Sequence, residues 1–210
     1  MKIVLFGGSG MIGGRILEEA LRRGHEVTAA LRSPGKLELE HGNLQKVTAD
    51  VLDPKSVEAA AKGHEAAVSA FGPPFGREEE LPESARSLLE GVRAAGASRL
   101  LVIGGAGSLL TESGERLMDT VGFPAEVRSL AMAHADAYEI YRNSDFDYTY
   151  VSPAAVIEPG RRTGQFRIGL DRLVVDEDGK SAISAEDFAV AVVDELEEQN
   201  FSRARFTVGY

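Results

Sequence analysis

The stretch KIVLFGGSGMIGGRILEEALRRG, residues 2–24, constrains this chain more than any other. Ile3–Phe6 is a short, wholly apolar run. Gly7, Gly10 and Gly13 follow as G-x-x-G-x-x-G, and then Ile12, Ile16, Leu17, Ala20 and Leu21 recur at helical spacing until Gly24 stops them. A buried strand passing through a tight glycine turn into a helix opens a βαβ unit. Glycine is needed there for the turn itself, for close approach of the backbone to a ligand, and for packing of helix on strand. The unsatisfied N–H groups and the dipole at the helix start favour an anion, so the turn predicts a phosphate-bearing ligand.

The pattern continues along the chain. Strand-like runs lie at Ile3–Phe6, Val27–Leu31, Leu44–Ala49, Ala66–Ala70, Leu100–Ile103 and Tyr148–Val151. Runs that are continuously apolar belong to strands buried on both faces. Between them fall helical patterns: one opened by Asp53-Pro54 and reaching about Lys62, one carrying Leu88, Val92 and Ala95, and one from about Pro124 to Asn143. Such alternation predicts an α/β fold, a Rossmann-like doubly wound parallel sheet. Past Pro153 the chain becomes turn-rich without repeating the βα unit. A helix capped by Ser184, with Asp187 three residues on, and a closing strand at Phe206–Val208 follow. We read one NAD(P)-binding domain over 1–210, a core at 1–152 and a small C-terminal substrate-side elaboration at 153–210.

Composition removes several classes. With 33 acidic against 23 basic residues the net charge is −10, which disfavours nucleic acid and anionic membrane as partners. Zero cysteines exclude disulfides, thiolate nucleophiles and cysteine-ligated metal, and no metal site is expected. No run reaches 18 apolar residues and no signal-peptide layout opens the chain, so a cytoplasmic protein, monomer or homodimer, is expected.

The ligand can be narrowed. Sites that prefer NAD carry an acidic residue at the end of the second strand, where it accepts from the ribose hydroxyls. Here that strand ends Ala30-Leu31-Arg32-Ser33, with Lys36 behind. The planar fork of an arginine suits a 2′-phosphate, so NADP(H) is preferred and NAD(H) possible; the competing reading is a solvated basic loop. Met11 and Ile12 stand with the glycines at the helix start. Asp50, ending the third strand, either receives the adenine amino group or caps a turn, and Val51 offers its backbone. Ala70, Phe71 and Gly72 after strand four, Gly104 and Gly105 after strand five, and Pro153 after strand six complete the expected cofactor border.

FGGSGMIGG, ALRSPGK, TADVLDP, VSAFGP, LLVIGGAGSL, FDYTYVSPAAVIEPGRRTGQFRIG and ISAEDFAVAVVDELE together resemble an atypical short-chain dehydrogenase/reductase. The likeness is greatest to the NAD(P)-binding group that includes NADH-flavin reductases, biliverdin reductase B and NmrA-like proteins, and it spans essentially the whole chain. In well-known members a Ser after strand five and a Tyr-x-x-x-Lys on the next helix supply acid–base catalysis. This chain departs from that pattern: Gly105 holds the Ser position, Leu130 that of Tyr and His134 that of Lys, while Ser108 follows three residues after Gly105. Tyr138-x-x-x-Arg142 resembles the motif only superficially. His134, Ser108 and Tyr138 are therefore the catalytic candidates. His134 could bond the ribose or donate a proton, or be a plain surface or capped histidine, and Tyr138 could equally be packing.

Ketone reduction needs an acid at the developing alkoxide, whereas a conjugated ring delocalises the incoming charge. The resemblance and the missing acid imply hydride transfer to a flavin, quinone or similar small-molecule acceptor. The alternative is a non-catalytic NADP-binding redox sensor of the NmrA-like type; a nucleotide-sugar epimerase would need a larger sugar-binding portion. Phe71, Pro73, Phe75, Gly105, Ser108, Met118, Phe123, Pro153, Ala154 and Phe166 are candidate walls for the acceptor, with TESGERLMDTVGFPAEVRS as a mobile flap over it.

Overall fold

A computed structural model describes residues 1–210. The strands, in chain order, are β1 Lys2–Phe6, β2 Glu26–Leu31, β3 Leu44–Thr48, β4 Ala66–Ser69, β5 Arg99–Ile103, β6 Tyr148–Ser152, β7 Val156–Glu158, β8 Arg167–Gly169, β9 Ala182–Ser184 and β10 Ala204–Gly209. The helices are α1 Met11–Arg22, α2 Pro54–Ala61, α3 Glu80–Ala95, α4 Arg128–Arg142 and α5 Ala185–Glu198. Eight strands form one sheet in the order β3-β2-β1-β4-β5-β6-β10-β8, parallel except for β8, which runs antiparallel to β10. β7 and β9 make a separate two-stranded parallel sheet.

The apolar runs of β1, β2, β4, β5 and β6 are buried on both faces, as their composition requires, whereas β3, expected to be buried like them, is an edge strand with only half-buried and exposed residues. Ile3 and Leu5 of β1 point into one core with α1 and α5; Val4 and Phe6 point into the other with α2, α3 and α4. The two cores make this a three-layer α/β sandwich of the Rossmann type.

The helix boundaries follow their caps. Asp53 accepts from the N–H of Lys55 at 3.0 Å with Pro54 in the first turn, and Ser184 accepts from that of Asp187 at 3.0 Å. α3 ends on Gly96 in the left-handed region, φ 78°. The helix expected from about Pro124 begins at Arg128, because Ala125–Val127 forms a 3₁₀ turn first.

One expectation needs correction. The segment beyond Pro153 does continue the βα pattern: α5 connects back to β10, which pairs parallel with β6. The turn-rich residues between β6 and α5 hid this, since they carry only three-residue strands. A buried ion pair fixes α5 to the sheet. Arg99, the first residue of β5, donates to Glu195 of α5, and both side chains are almost wholly buried. Glu195 also accepts from Thr149 Oγ1 at 3.1 Å and from the N–H of Asn200 at 2.9 Å and Phe201 at 3.0 Å.

Candidate functional site

The carboxyl ends of β1, β2, β3 and β4 surround a groove of about 310 Å³. Nine of the expected cofactor residues line it: Gly7, Gly10, Arg32, Ser33, Lys36, Val51, Ala70, Phe71 and Gly72. Phe6, Ser9, Ala30, Leu31 and Ala49 line it too, and the sequence reading had not singled them out. The signal for them was available, because each is the strand-end or turn neighbour of a residue that was.

The three glycines of the turn have different reasons to be glycine. Gly7 has φ +80°, and a Cβ there would lie 2.4 Å from the carbonyl oxygen of Ala70. A Cβ on Gly13 would lie 2.1 Å from the carbonyl oxygen of Gly7. Both collisions are with backbone, so the turn cannot close around any side chain at these positions. Gly13 is thus a packing residue behind the groove. At Gly10 the nearest atom is 3.4 Å away, ordinary room for a Cβ. The fold itself leaves room for a side chain at 10, so a glycine there would serve only close approach of a ligand to the backbone.

No side chain caps the start of α1, and its first turn holds no acidic residue. The N–H groups from Met11 to Gly13 have no intrahelical acceptor. Met11 is exposed at this end, and Ile12 packs into the core beneath. Uncapped donors, a positive helix end and a glycine cradle fit a pyrophosphate.

At the β2 end, Arg32, Ser33 and Lys36 are exposed at the groove mouth. Ser33 opens a 3₁₀ turn over Pro34–Lys36 without using its hydroxyl as a cap. The residues lining the groove include two cations and no carboxylate, although the whole chain carries −10. Asp50 does not reach the groove. Its Oδ1 accepts from the N–H of Leu52 at 3.0 Å, so it caps its own turn, which was one of its two expected roles.

The other expected border residues lie beyond this groove, around the ends of β5 and β6. A Cβ on Gly104 would meet the ring of Tyr150 at 2.0 Å. One on Gly105 would meet the ring of His134 at 2.9 Å. Pro153 is buried, and its carbonyl accepts from Thr207 at 3.4 Å. Position 105 is glycine because the imidazole of α4 occupies the space its side chain would take. A serine at 105 would therefore require the His134 ring to shift.

His134 is held from below, since Tyr150 donates its hydroxyl to the His134 carbonyl at 2.9 Å. Burial lowers the imidazole pKa to about 4, so it is neutral at pH 7. A neutral imidazole can donate or accept a hydrogen bond, but it offers no imidazolium proton at that pH. Burial also pushes the Tyr150 phenol far above its usual range.

Ser108 and Tyr138 are brought together elsewhere. Arg205 of β10 donates to Ser108 Oγ at 2.9 Å and lies over the Tyr138 ring, 4.6 Å from its centroid. Asp171 holds the same guanidinium at 2.6 Å and 3.0 Å. Both side chains thus serve to seat a buried arginine, and the Tyr138 ring leans on Tyr150 with centroids 4.8 Å apart. Leu130 packs at the edge of the α4 core. Arg142 pairs with Glu139 one turn back on α4.

One wall candidate and the expected flap are corrected. Phe166 packs on the α5 side of the sheet beside Phe201 and Phe206, because β8 turns that face towards α5. The first half of the expected flap is fastened down rather than free. The N–H of Leu110 donates to the Asp171 carbonyl at 2.8 Å, that of Leu117 to Leu109 at 2.9 Å and that of Met118 to Gly107 at 2.9 Å.

Comparison with known proteins agrees with this geometry. Residues 7–199 match the family model described as NAD(P)H-binding. The "putative exported protein" from Burkholderia pseudomallei is 48% identical, with a TM-score of 0.91 and full coverage of both chains. A "putative epimerase" from Bacteroides thetaiotaomicron is 41% identical, with a TM-score of 0.93, covering 100% of this chain and 96% of that one. A "putative NADH-flavin reductase" from Streptococcus pneumoniae is 34% identical, with a TM-score of 0.87, covering 100% and 99%. The three names point in different directions. No helix is long and apolar enough to cross a membrane.

Proposed function

Because the chain belongs to the NAD(P)H-binding family, among the atypical short-chain dehydrogenases/reductases, we propose that it is an NADPH-dependent reductase of a flavin, quinone or similar flat acceptor. The observation that carries the cofactor half is the groove mouth: Arg32, Ser33 and Lys36 stand together with no carboxylate. A ribose diol would be met by an acid there; a 2′-phosphate would be met by donors such as these.

The acceptor half rests on Gly105 and Leu130. With no Ser and no Tyr at those positions, and His134 neutral, nothing at the end of β5 is built to protonate an alkoxide. Bound NADPH supplies the hydride. The chain's own part would be to hold the dinucleotide by the glycine turn and the α1 N–H groups and to orient it along the carboxyl ends of the strands. Positioning of two rings supplies most of the rate in that chemistry. The proton reaches the reduced ring from solvent, with His134 as a hydrogen-bonding neighbour.

The same missing residues favour a second reading, an NADP-binding sensor without turnover. NADPH oxidation followed with FMN, FAD and small quinones separates the two. Turnover with at least one supports the reductase; tight NADP binding with no turnover on any of them rejects it in favour of the sensor. A cytoplasmic location and a monomeric or homodimeric state remain proposals of the same kind, tested by fractionation and by light scattering.

A further inference from the structure

The chain has nine phenylalanines, and eight are buried or half-buried. Phe75 is the exception, 85% exposed. Leaving a phenyl ring in water forgoes the usual gain from burying it, and single exposed apolar residues are common. The setting of this one is not. Phe75 sits at the tip of a turn closed by the Arg77 N–H donating to the Pro74 carbonyl at 3.1 Å, with Gly76 at φ +83°. Gly76 donates its N–H to Glu78 Oε1 at 2.9 Å, and Glu80 its N–H to the Arg77 carbonyl at 3.0 Å, which ties the turn to the start of α3. Pro73 and Pro74 stiffen the approach. The ring is therefore held out into solvent by a hydrogen-bonded turn.

The turn follows directly from Gly72, which lines the dinucleotide groove. Three residues of chain span at most about 11 Å, so the Phe75 backbone lies within that distance of Gly72, at the carboxyl-end side of β4. Phe75 itself is not among the residues lining that groove. A rigid aromatic face beside the cofactor, outside the volume the cofactor would fill, is placed for a second flat ligand.

We propose that Phe75 is the platform on which the acceptor ring stacks, and that it sets the preference for flat conjugated acceptors. The proposal rests on the reductase reading. Stacking of a planar ring on an aromatic side chain is indifferent to substituents and gives affinity without a dedicated hydrogen-bond pattern. It takes nothing from the dinucleotide, so its loss acts on the acceptor alone.

The chain has no tryptophan, so Phe75→Trp makes a protein with a single indole emitter. Riboflavin or menadione titrated into this variant with saturating NADP is expected to quench the indole saturably, while NADP alone changes it little. Phe75→Ala is expected to weaken riboflavin or menadione binding about tenfold, the order of one lost stacking contact, with the Kd for NADPH unchanged. Where turnover is measured, KM for the acceptor rises and kcat holds. The proposal is overturned if Phe75→Ala binds these rings within twofold of wild type, if NADP alone quenches Phe75→Trp fully, or if the wild-type protein binds neither compound. These are binding measurements, so they remain decisive in a protein that shows no turnover, the result that would reject the reductase reading itself.

Discussion

Arg32 is the side chain on which the proposed NADPH preference turns. Its guanidinium stands at the groove mouth with no acidic residue among its lining neighbours, in a chain whose overall charge repels phosphates. A charge-assisted, bidentate bond to a 2′-phosphate is worth about 1.5–3 kcal/mol. Arg32→Ala should therefore raise the Kd for NADPH by about ten- to a hundredfold and leave NADH almost unchanged, measured by nicotinamide fluorescence titration. Equal losses for both cofactors would mean that Arg32 does not face the 2′ position. This residue was legible in the sequence because a strand end is easily located and the absence of a carboxylate is plain. Gly105 and His134 were legible only as departures from a pattern. That the imidazole occupies the space beside Gly105 depends on how α4 lies over β5, and no spacing along the chain encodes that distance.

At the scale of elements, the loop between β7 and β8 is held by α5. The Asp187 carboxylate, in the first turn of α5 and wholly buried, accepts from the N–H groups of Thr163 and Gly164 at 2.7 Å each and from the Tyr210 hydroxyl at 2.8 Å. Burial by itself would raise the carboxyl pKa, but these bonds outweigh it and hold the value below the ordinary 3.8. A depressed carboxyl contributes stability that is present above its unfolded pKa and lost as pH falls through the folded one. Asp187→Asn should thus cost stability at pH 7, by about 1–3 kcal/mol, and flatten the loss of stability below about pH 4, read by urea denaturation at a series of pH values. A variant whose acid-side slope matched wild type would exclude Asp187 as the group responsible. The sequence showed Ser184 and Asp187 as the start of a helix. It did not show that the capping segment also grips a loop more than twenty residues upstream, because turn-rich stretches have no periodicity from which a partner can be read.

Across the whole molecule, α1 and α5 close one face of the sheet and α2, α3 and α4 the other, so the groove is walled by strands that all belong to one continuous structure. β10 pairs with β6, which joins the last third of the chain to the same sheet. Unfolding should accordingly be a single transition when tyrosine fluorescence and far-ultraviolet circular dichroism are compared, and NADP at a hundred times its Kd should stabilise the fold by about 2.7 kcal/mol. Two separated transitions would show that the residues beyond Pro153 unfold as their own unit. Fold class was readable from alternation alone, since a strand buried on both faces leaves an unbroken apolar run. The order of the strands was not: β8 and β9 are three residues each, too short to carry a pattern.

That order also governs how the protein comes into being. β8 bonds only to β10 in the main sheet, yet β9 and α5 are synthesised between them. Until β10 arrives, β8 has no neighbour, and Ile168 within it and Leu170 beside it are more than half exposed even in the finished fold. Ribosomes add about 5–20 residues per second, so this interval is one in which an unpaired edge waits exposed or under a chaperone. Yield on expression should then depend on how quickly the stretch from β8 to β10 is translated, a quantity set by codons rather than by any contact in the native structure.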